Sequence, residues 1–73
     1  MLDDLKIFIT AAQTKSLTAT AEKLGMTIAT VSRRIANLES TLGSVLLHRS
    51  TKGLTLTTTG ASYYRECAEF IEA

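Results

Sequence analysis

Apolar residues recur along most of this chain at helical spacing, and near its middle at strand spacing. Leu5, Phe8, Ile9 and Ala12 follow an i, i+3, i+4, i+7 pattern, which predicts a helix from about Asp3 to Gln13 with that stripe toward a core. Asp3 and Asp4 fall in its first turn, where negative charge complements the helix dipole. Thr14, Lys15 and Ser16 make a short connection to a second helix over about Thr18 to Leu24. Ser16 or Thr18 can cap it, because either hydroxyl can accept from an orphan N–H. Leu17, Ala21 and Leu24 are its inward positions, and Gly25 ends it as the residue that tolerates a left-handed backbone.

Thr27 is the expected cap of a third helix from Ile28 to Leu42, closed by Gly43. At about 100° per residue, Val31, Ile35, Leu38 and Leu42 fall within about 60° of one another, an apolar stripe of helical period. The opposite direction runs through Ala29, Arg33, Asn37 and Ser40, with Thr30 and Ala36 at its flanks and Ser32 and Arg34 further round. The period then changes. Leu46 to Arg49 and Leu54 to Thr57 read as two short strands joined by Ser50, Thr51, Lys52 and Gly53, a loop that suits a hairpin. Strands this short are not stable alone and must lean on the helices. A last helix starts at about Thr58, capped by Thr57 or Thr58, with Ala61, Tyr64, Cys67, Ala68 and Ile71 as its apolar stripe. Gly60 in its first turn costs ~0.5–1 kcal/mol relative to alanine, which suggests close approach by another backbone, that of the hairpin being the candidate. The helix reaches Ala73 uncapped, as at the boundary of a fragment.

Size narrows the picture. A chain of 73 residues is one domain at most, and a domain this small buries only about 60% of its unfolded surface. Cores of this size rarely supply more than ~3–5 kcal/mol, so self-association is an expected support. Cys67 is the only cysteine; a lone thiol excludes a disulfide framework and suggests a reducing, cytoplasmic setting. No apolar run is long enough for a bilayer, and the N-terminus lacks a signal-peptide layout. A membrane partner is therefore not expected.

Net charge is +1, which alone says little about nucleic acid. Its distribution says more. Between Met26 and Thr58 the charged residues are Arg33, Arg34, Arg49 and Lys52 against Glu39 alone, while Asp3, Asp4, Glu66, Glu69 and Glu72 lie toward the two ends. Such segregation suggests one basic surface; an ordinary solvated face is the plainer alternative.

Two helices around a tight turn at Gly25-Met26-Thr27 match a helix-turn-helix, and the hairpin after them matches a wing. A major groove about 12 Å wide admits one helix if its outer side chains let the backbone approach. Ala29 and Thr30 meet that need, and either can touch a thymine methyl. Arg33 has the reach for guanine O6 and N7, and Ser32 and Asn37 are secondary candidates for base edges or phosphate. Thr27 caps a helix whose free N–H groups suit a phosphate. Arg34, at the flank, can meet a phosphate or pair with a carboxylate. Arg49, Thr51 and Lys52 on the wing are candidates for the DNA backbone, with routine hairpin charges the plainer reading of Arg49 and Lys52. His48 has no second histidine or nearby cysteine to complete a metal set, so neither metal nor cofactor is expected. Nor is there a glycine-rich phosphate loop or a histidine beside a nucleophile, so an enzyme is not expected.

In this order and spacing the residues resemble the N-terminal DNA-binding domain of LysR-type transcriptional regulators, over nearly the whole chain. Leu5-Lys6-Ile7-Phe8 is similar to the family's opening helix. Ser16-Leu17-Thr18, Ala21, Leu24 and Thr27 fit its helix-turn-helix frame. Val31-Ser32-Arg33-Arg34-Ile35 through Leu38-Glu39 and Leu42-Gly43 resembles its recognition helix, and Leu46-Leu47-His48-Arg49 and Leu56-Thr57-Thr58-Thr59-Gly60 its wing and linker helix. The resemblance implies a mainly α fold. It is a winged helix-turn-helix over 1–57, with a three-helix core and a two-stranded β wing, followed by a C-terminal linker helix over 58–73 that pairs two subunits. The chain would then be a cytoplasmic, sequence-specific DNA-binding module reading dyad-symmetric, double-stranded operator DNA as a homodimer, or as a tetramer in a longer protein. A small-molecule effector would act only through a domain absent from this chain. Carried over by position, Ile28, Ala29, Ser32 and Arg33 would face the major groove, and Arg49 and the wing tip the backbone or minor groove. Two departures stand out. The family usually has a polar residue, often glutamine, where this chain has Ile28, and proline where it has Ala29. An isoleucine cannot hydrogen-bond a base edge, so it makes apolar contact or turns into the core. Large apolar or acidic residues outward on this third helix would favour a different class, a winged-helix interaction or dimerisation module without DNA binding, and Ile28 is the one residue that leans that way.

Overall fold

The computed structural model describes the backbone of residues 2–72 and the side chains of residues 3–68. The elements run α1 (Leu2–Thr14), α2 (Leu17–Leu24), α3 (Ile28–Leu42), β1 (Leu47–Ser50), β2 (Gly53–Leu56) and α4 (Thr58–Glu72). Ser16 caps α2 by accepting from the Ala19 N–H, and Thr27 caps α3 by accepting from the Thr30 N–H. Gly25 sits at φ +67° and returns its N–H to the last turn of α2, so the chain reverses between α2 and α3 where a side chain would be strained.

The centre of the domain is α1. It packs against α2, α3, α4 and β2, and it buries Ile7, Phe8, Ile9, Thr10 and Ala11. A single stripe through Leu5, Phe8, Ile9 and Ala12 is therefore too narrow, and Leu5 and Ala12 are only half-buried. A helix covered on several sides buries more than one face. On α3 the buried positions are Val31, Ile35 and Leu38. Leu42, expected inward, is exposed. The core is closed at this end by Leu46, fully buried after the chain turns at Gly43. On α2 the fully buried residue is Thr20, a polar position outside the apolar pattern. Its hydroxyl donates to the Ser16 carbonyl (2.7 Å) and lies 2.9 Å from that of Thr14, so burial leaves it satisfied.

The strands pair antiparallel in the register Leu47↔Leu56, His48↔Thr55, Arg49↔Leu54 and Ser50↔Gly53. Each lies one residue from the expected span, which leaves Thr51 and Lys52 as a two-residue turn. Leu47 and Leu54 are buried beneath it. The hairpin is tied at both ends. At the far end the Leu54 N–H donates to the Lys15 carbonyl (3.0 Å), and Lys15 itself holds a left-handed φ of +60°. At the root the Glu39 carboxylate accepts from the Leu46 and Leu47 N–H groups (2.7 and 3.2 Å).

Thr57 is the cap of α4. Its hydroxyl accepts from the Gly60 N–H (2.8 Å) and donates to the Val45 carbonyl (2.7 Å), while its N–H donates to the Leu46 carbonyl (3.0 Å). A Cβ at Gly60 would overlap that same Leu46 carbonyl, so the close backbone approach expected there is present, just ahead of β1. The helix then lies back on α1. Phe8 meets Tyr63 and Tyr64 at ring-centroid distances of 5.6 and 6.5 Å, and Cys67 is buried in the same cluster. Burial pushes the Tyr63 phenol up to about 12, helped by a hydrogen bond with Cys67 and by the charges of Cys67 and Glu66.

Candidate nucleic-acid interface

The front of α3 is open. Ile28, Ala29, Arg33, Ala36, Asn37 and Ser40 are exposed, and Ser32 is half-buried beside them. Ile28 has 47% of its surface free, so of the two orientations open to it, it takes the outward one. The cap shapes the first turn. The Thr27 hydroxyl accepts from the Thr30 N–H (3.1 Å) and donates to the Thr30 hydroxyl (2.8 Å). Ile28 and Ala29 are left as the side chains that project freely at the tip. One turn later Arg33 stands exposed. Among the described residues the one ion pair is Arg34–Asp4 at 3.2 Å. Arg34 thus ties α3 to α1 through the Asp4 carboxylate, with 41% of its side chain still exposed.

On the wing, Arg49, Thr51 and Lys52 are all exposed. Arg49 and Thr51 line a groove of about 230 Å³ together with Lys15, Ser16 and Leu17. Lys15 adds a cation that sequence reasoning passed over as part of a connection. Only the docking of β2 on the Lys15 carbonyl brings it beside the wing. Glu39 was likewise unassigned; it sets where the wing starts by gripping two successive N–H groups. Its sequence signal was its isolation as the single acidic residue of the basic segment.

The stripe expected to pair two subunits is divided. Cys67 is taken up by the chain's own core, and Tyr64 and Ala68 pack against that core while remaining partly exposed. Ala61 is half-buried, and the side chain of Ile71 lies outside the described residues. His48 is exposed, and no group of three metal-ligating side chains occurs among the described residues.

Three helices around α1, a tight turn into an open-faced α3 and a hairpin tethered behind it define a winged helix-turn-helix domain. The family model described as "Bacterial regulatory helix-turn-helix protein, lysR family" matches residues 2–61. The chain belongs to that family. It is 47% identical over 64 residues to the HTH-type transcriptional regulator DmlR of Escherichia coli K12, covering 88% of this chain and 21% of that protein. It is 36% identical over 70 residues to the HTH-type transcriptional regulator CrgA of Neisseria meningitidis serogroup B, covering 96% and 23%. Its fold matches the crystal structure of the CbnR_DBD–DNA complex with a TM-score of 0.93 and 32% identity, over 99% of this chain and 83% of that one. The BenM_DBD/catB site 1 DNA complex matches with a TM-score of 0.94 and 30% identity, over 99% and 81%. The chain spans about a fifth of the length of the curated relatives it matches.

Proposed function

We propose that this chain is the operator-binding domain of a LysR-type transcriptional regulator and reads roughly palindromic DNA as a dimer. The observation that carries this reading is the free front of α3, with Ile28, Ala29, Arg33 and Asn37 exposed while Val31, Ile35 and Leu38 hold the helix from behind. Inserted in a major groove, Arg33 reaches guanine O6 and N7 as a bidentate donor. Ser32 and Asn37 flank it for base edges or phosphate, and the capped start of α3 at Thr27 faces a phosphate. Arg49, Thr51 and Lys52, with Lys15 beside them, supply attraction to the backbone that does not depend on sequence. That domains of the same fold from CbnR and BenM form complexes with DNA supports DNA binding by this chain. Relatives named as transcriptional regulators support a regulatory rather than an enzymatic role.

Two copies related by a twofold axis would meet half-sites about 34 Å apart or a multiple of that. The parts of Ala61, Tyr64 and Ala68 that the core leaves uncovered are the surface for that pairing. In the longer protein a separate domain would take a small-molecule effector, and the regulator would work in the cytoplasm. No helix among the described residues is long and apolar enough to cross a membrane.

The test is to replace Arg33 and Lys52 by alanine separately and titrate each variant against matched and scrambled duplexes at two salt concentrations. Arg33→Ala should lose ~1–3 kcal/mol on the matched site only, and Lys52→Ala should weaken both sites alike and lower the salt slope by about 1. Equal losses for both variants on both duplexes would refute the assignment of roles.

A further inference from the structure

The first turn of α3 carries an apolar tip. Ile28 is 47% exposed, Ala29 is exposed beside it, and the Thr27 and Thr30 hydroxyls are bonded to each other. Neither the Ile28 nor the Ala29 side chain can donate to or accept from a base edge. In a major groove the apolar feature on offer is the C5-methyl of thymine. An exposed isoleucine that meets it exchanges water contact for apolar contact, which is favourable. The tip is continuous with the Arg33 surface. Ile28 and Ser32 form one i, i+4 column, and Ala29 and Arg33 form the next.

We propose, building on the operator-binding reading above, that Ile28 with Ala29 is a specificity determinant for a pyrimidine 5-methyl group. The five-residue rise from Ile28 to Arg33 is about 7.5 Å, so the methyl-bearing base lies within about three base pairs of the guanine read by Arg33. Because the contact uses the methyl and no hydrogen bond, it distinguishes thymine from uracil, and 5-methylcytosine from cytosine, by the same amount. Removing one buried methyl costs about fourfold in affinity. Operator recognition by this chain is therefore sensitive to cytosine methylation at that position. A glutamine in place of Ile28 would read acceptors and donors and lack this property.

The experiment begins with duplexes selected by this chain from a random pool. Each thymine of the selected site is replaced in turn by deoxyuridine, which removes the methyl and leaves the hydrogen-bonding groups unchanged. Binding is measured for the unaltered chain and for Ile28→Gln. The expected result is a loss of about fourfold at one thymine per half-site, within about three base pairs of the guanine whose contact Arg33→Ala abolishes. That loss disappears in Ile28→Gln. At the same position 5-methylcytosine should bind about fourfold tighter than cytosine. Indifference to every uracil, or an equal penalty in Ile28→Gln, overturns the proposal while leaving operator binding intact. Failure to select any duplex with salt-sensitive affinity overturns operator binding and this proposal together. Ile28 is exposed and outside the core, so the variant keeps its fold, and a thermal melt of each protein verifies this.

Discussion

Replacing Gly60 by alanine sets two forces against each other, and the structure decides between them. In the first turn of α4, alanine is favoured over glycine by ~0.5–1 kcal/mol, so helix propensity alone predicts a more stable protein. The added methyl, however, overlaps the Leu46 carbonyl oxygen and comes within 2.8 and 3.1 Å of the Leu46 C and Cα atoms. Leu46 cannot yield easily. Its N–H is held by Glu39 at 2.7 Å, its carbonyl by the Thr57 N–H at 3.0 Å, and its side chain is fully buried. Overpacking against well-held atoms costs typically ~1–3 kcal/mol, occasionally more. An overlap with backbone belongs at the upper end, so after the propensity gain a net loss of about 2–2.5 kcal/mol remains. For a domain of this length that lowers Tm by about 10–20 °C. A core this small supplies only ~3–5 kcal/mol, so part of the variant should be unfolded at 25 °C. Far-UV circular dichroism melts of both proteins at one shared concentration measure the change, because dimerisation would make Tm concentration-dependent. A Tm equal to or above that of the parent would mean that α4 does not approach the α3–β1 connection as described.

Two further outcomes follow from the tethers and the aromatic cluster. Glu39→Ala leaves the buried Leu46 N–H without its acceptor and should cost ~1–3 kcal/mol in a denaturant melt. Glu39→Gln keeps an acceptor oxygen and should lose clearly less; equal losses would refute the tether. The Tyr63 phenol, raised from 10.0 to about 12 by burial, favours the protonated form in the folded protein. Its contribution to stability is complete below pH 10 and is lost as pH rises from 10 toward 12, because the unfolded chain ionises first. Tyr63→Phe should therefore show a smaller fall in Tm across that window than the parent, and an identical fall would contradict the upward shift of the phenol.

The short-range features of this chain were legible because their causes lie within a few residues. The span of α3 follows from the Val31–Ile35–Leu38 period and from Thr27 and Gly43 at its ends. The α2–α3 turn follows from Gly25, and the hairpin from the switch to alternation at Leu54 and Leu56. The open front of α3 was legible too, since Arg33 and Asn37 lie opposite the apolar stripe. The strand limits missed by one residue because Leu46, apolar enough for a strand, is used to close the core instead.

The order and type of the elements, the open side of α3 and the family pattern can all be read from the amino acids in order, because they rest on periodicity and on caps local to each turn. Packing between distant segments settled the rest. It buried several sides of α1, drew Arg34 to Asp4 thirty residues away, seated the wing on the Lys15 carbonyl and the Glu39 carboxylate, folded Cys67 into the chain's own core and turned Ile28 outward. Each of these depends on which surfaces meet when distant segments pack, and no local pattern encodes that meeting.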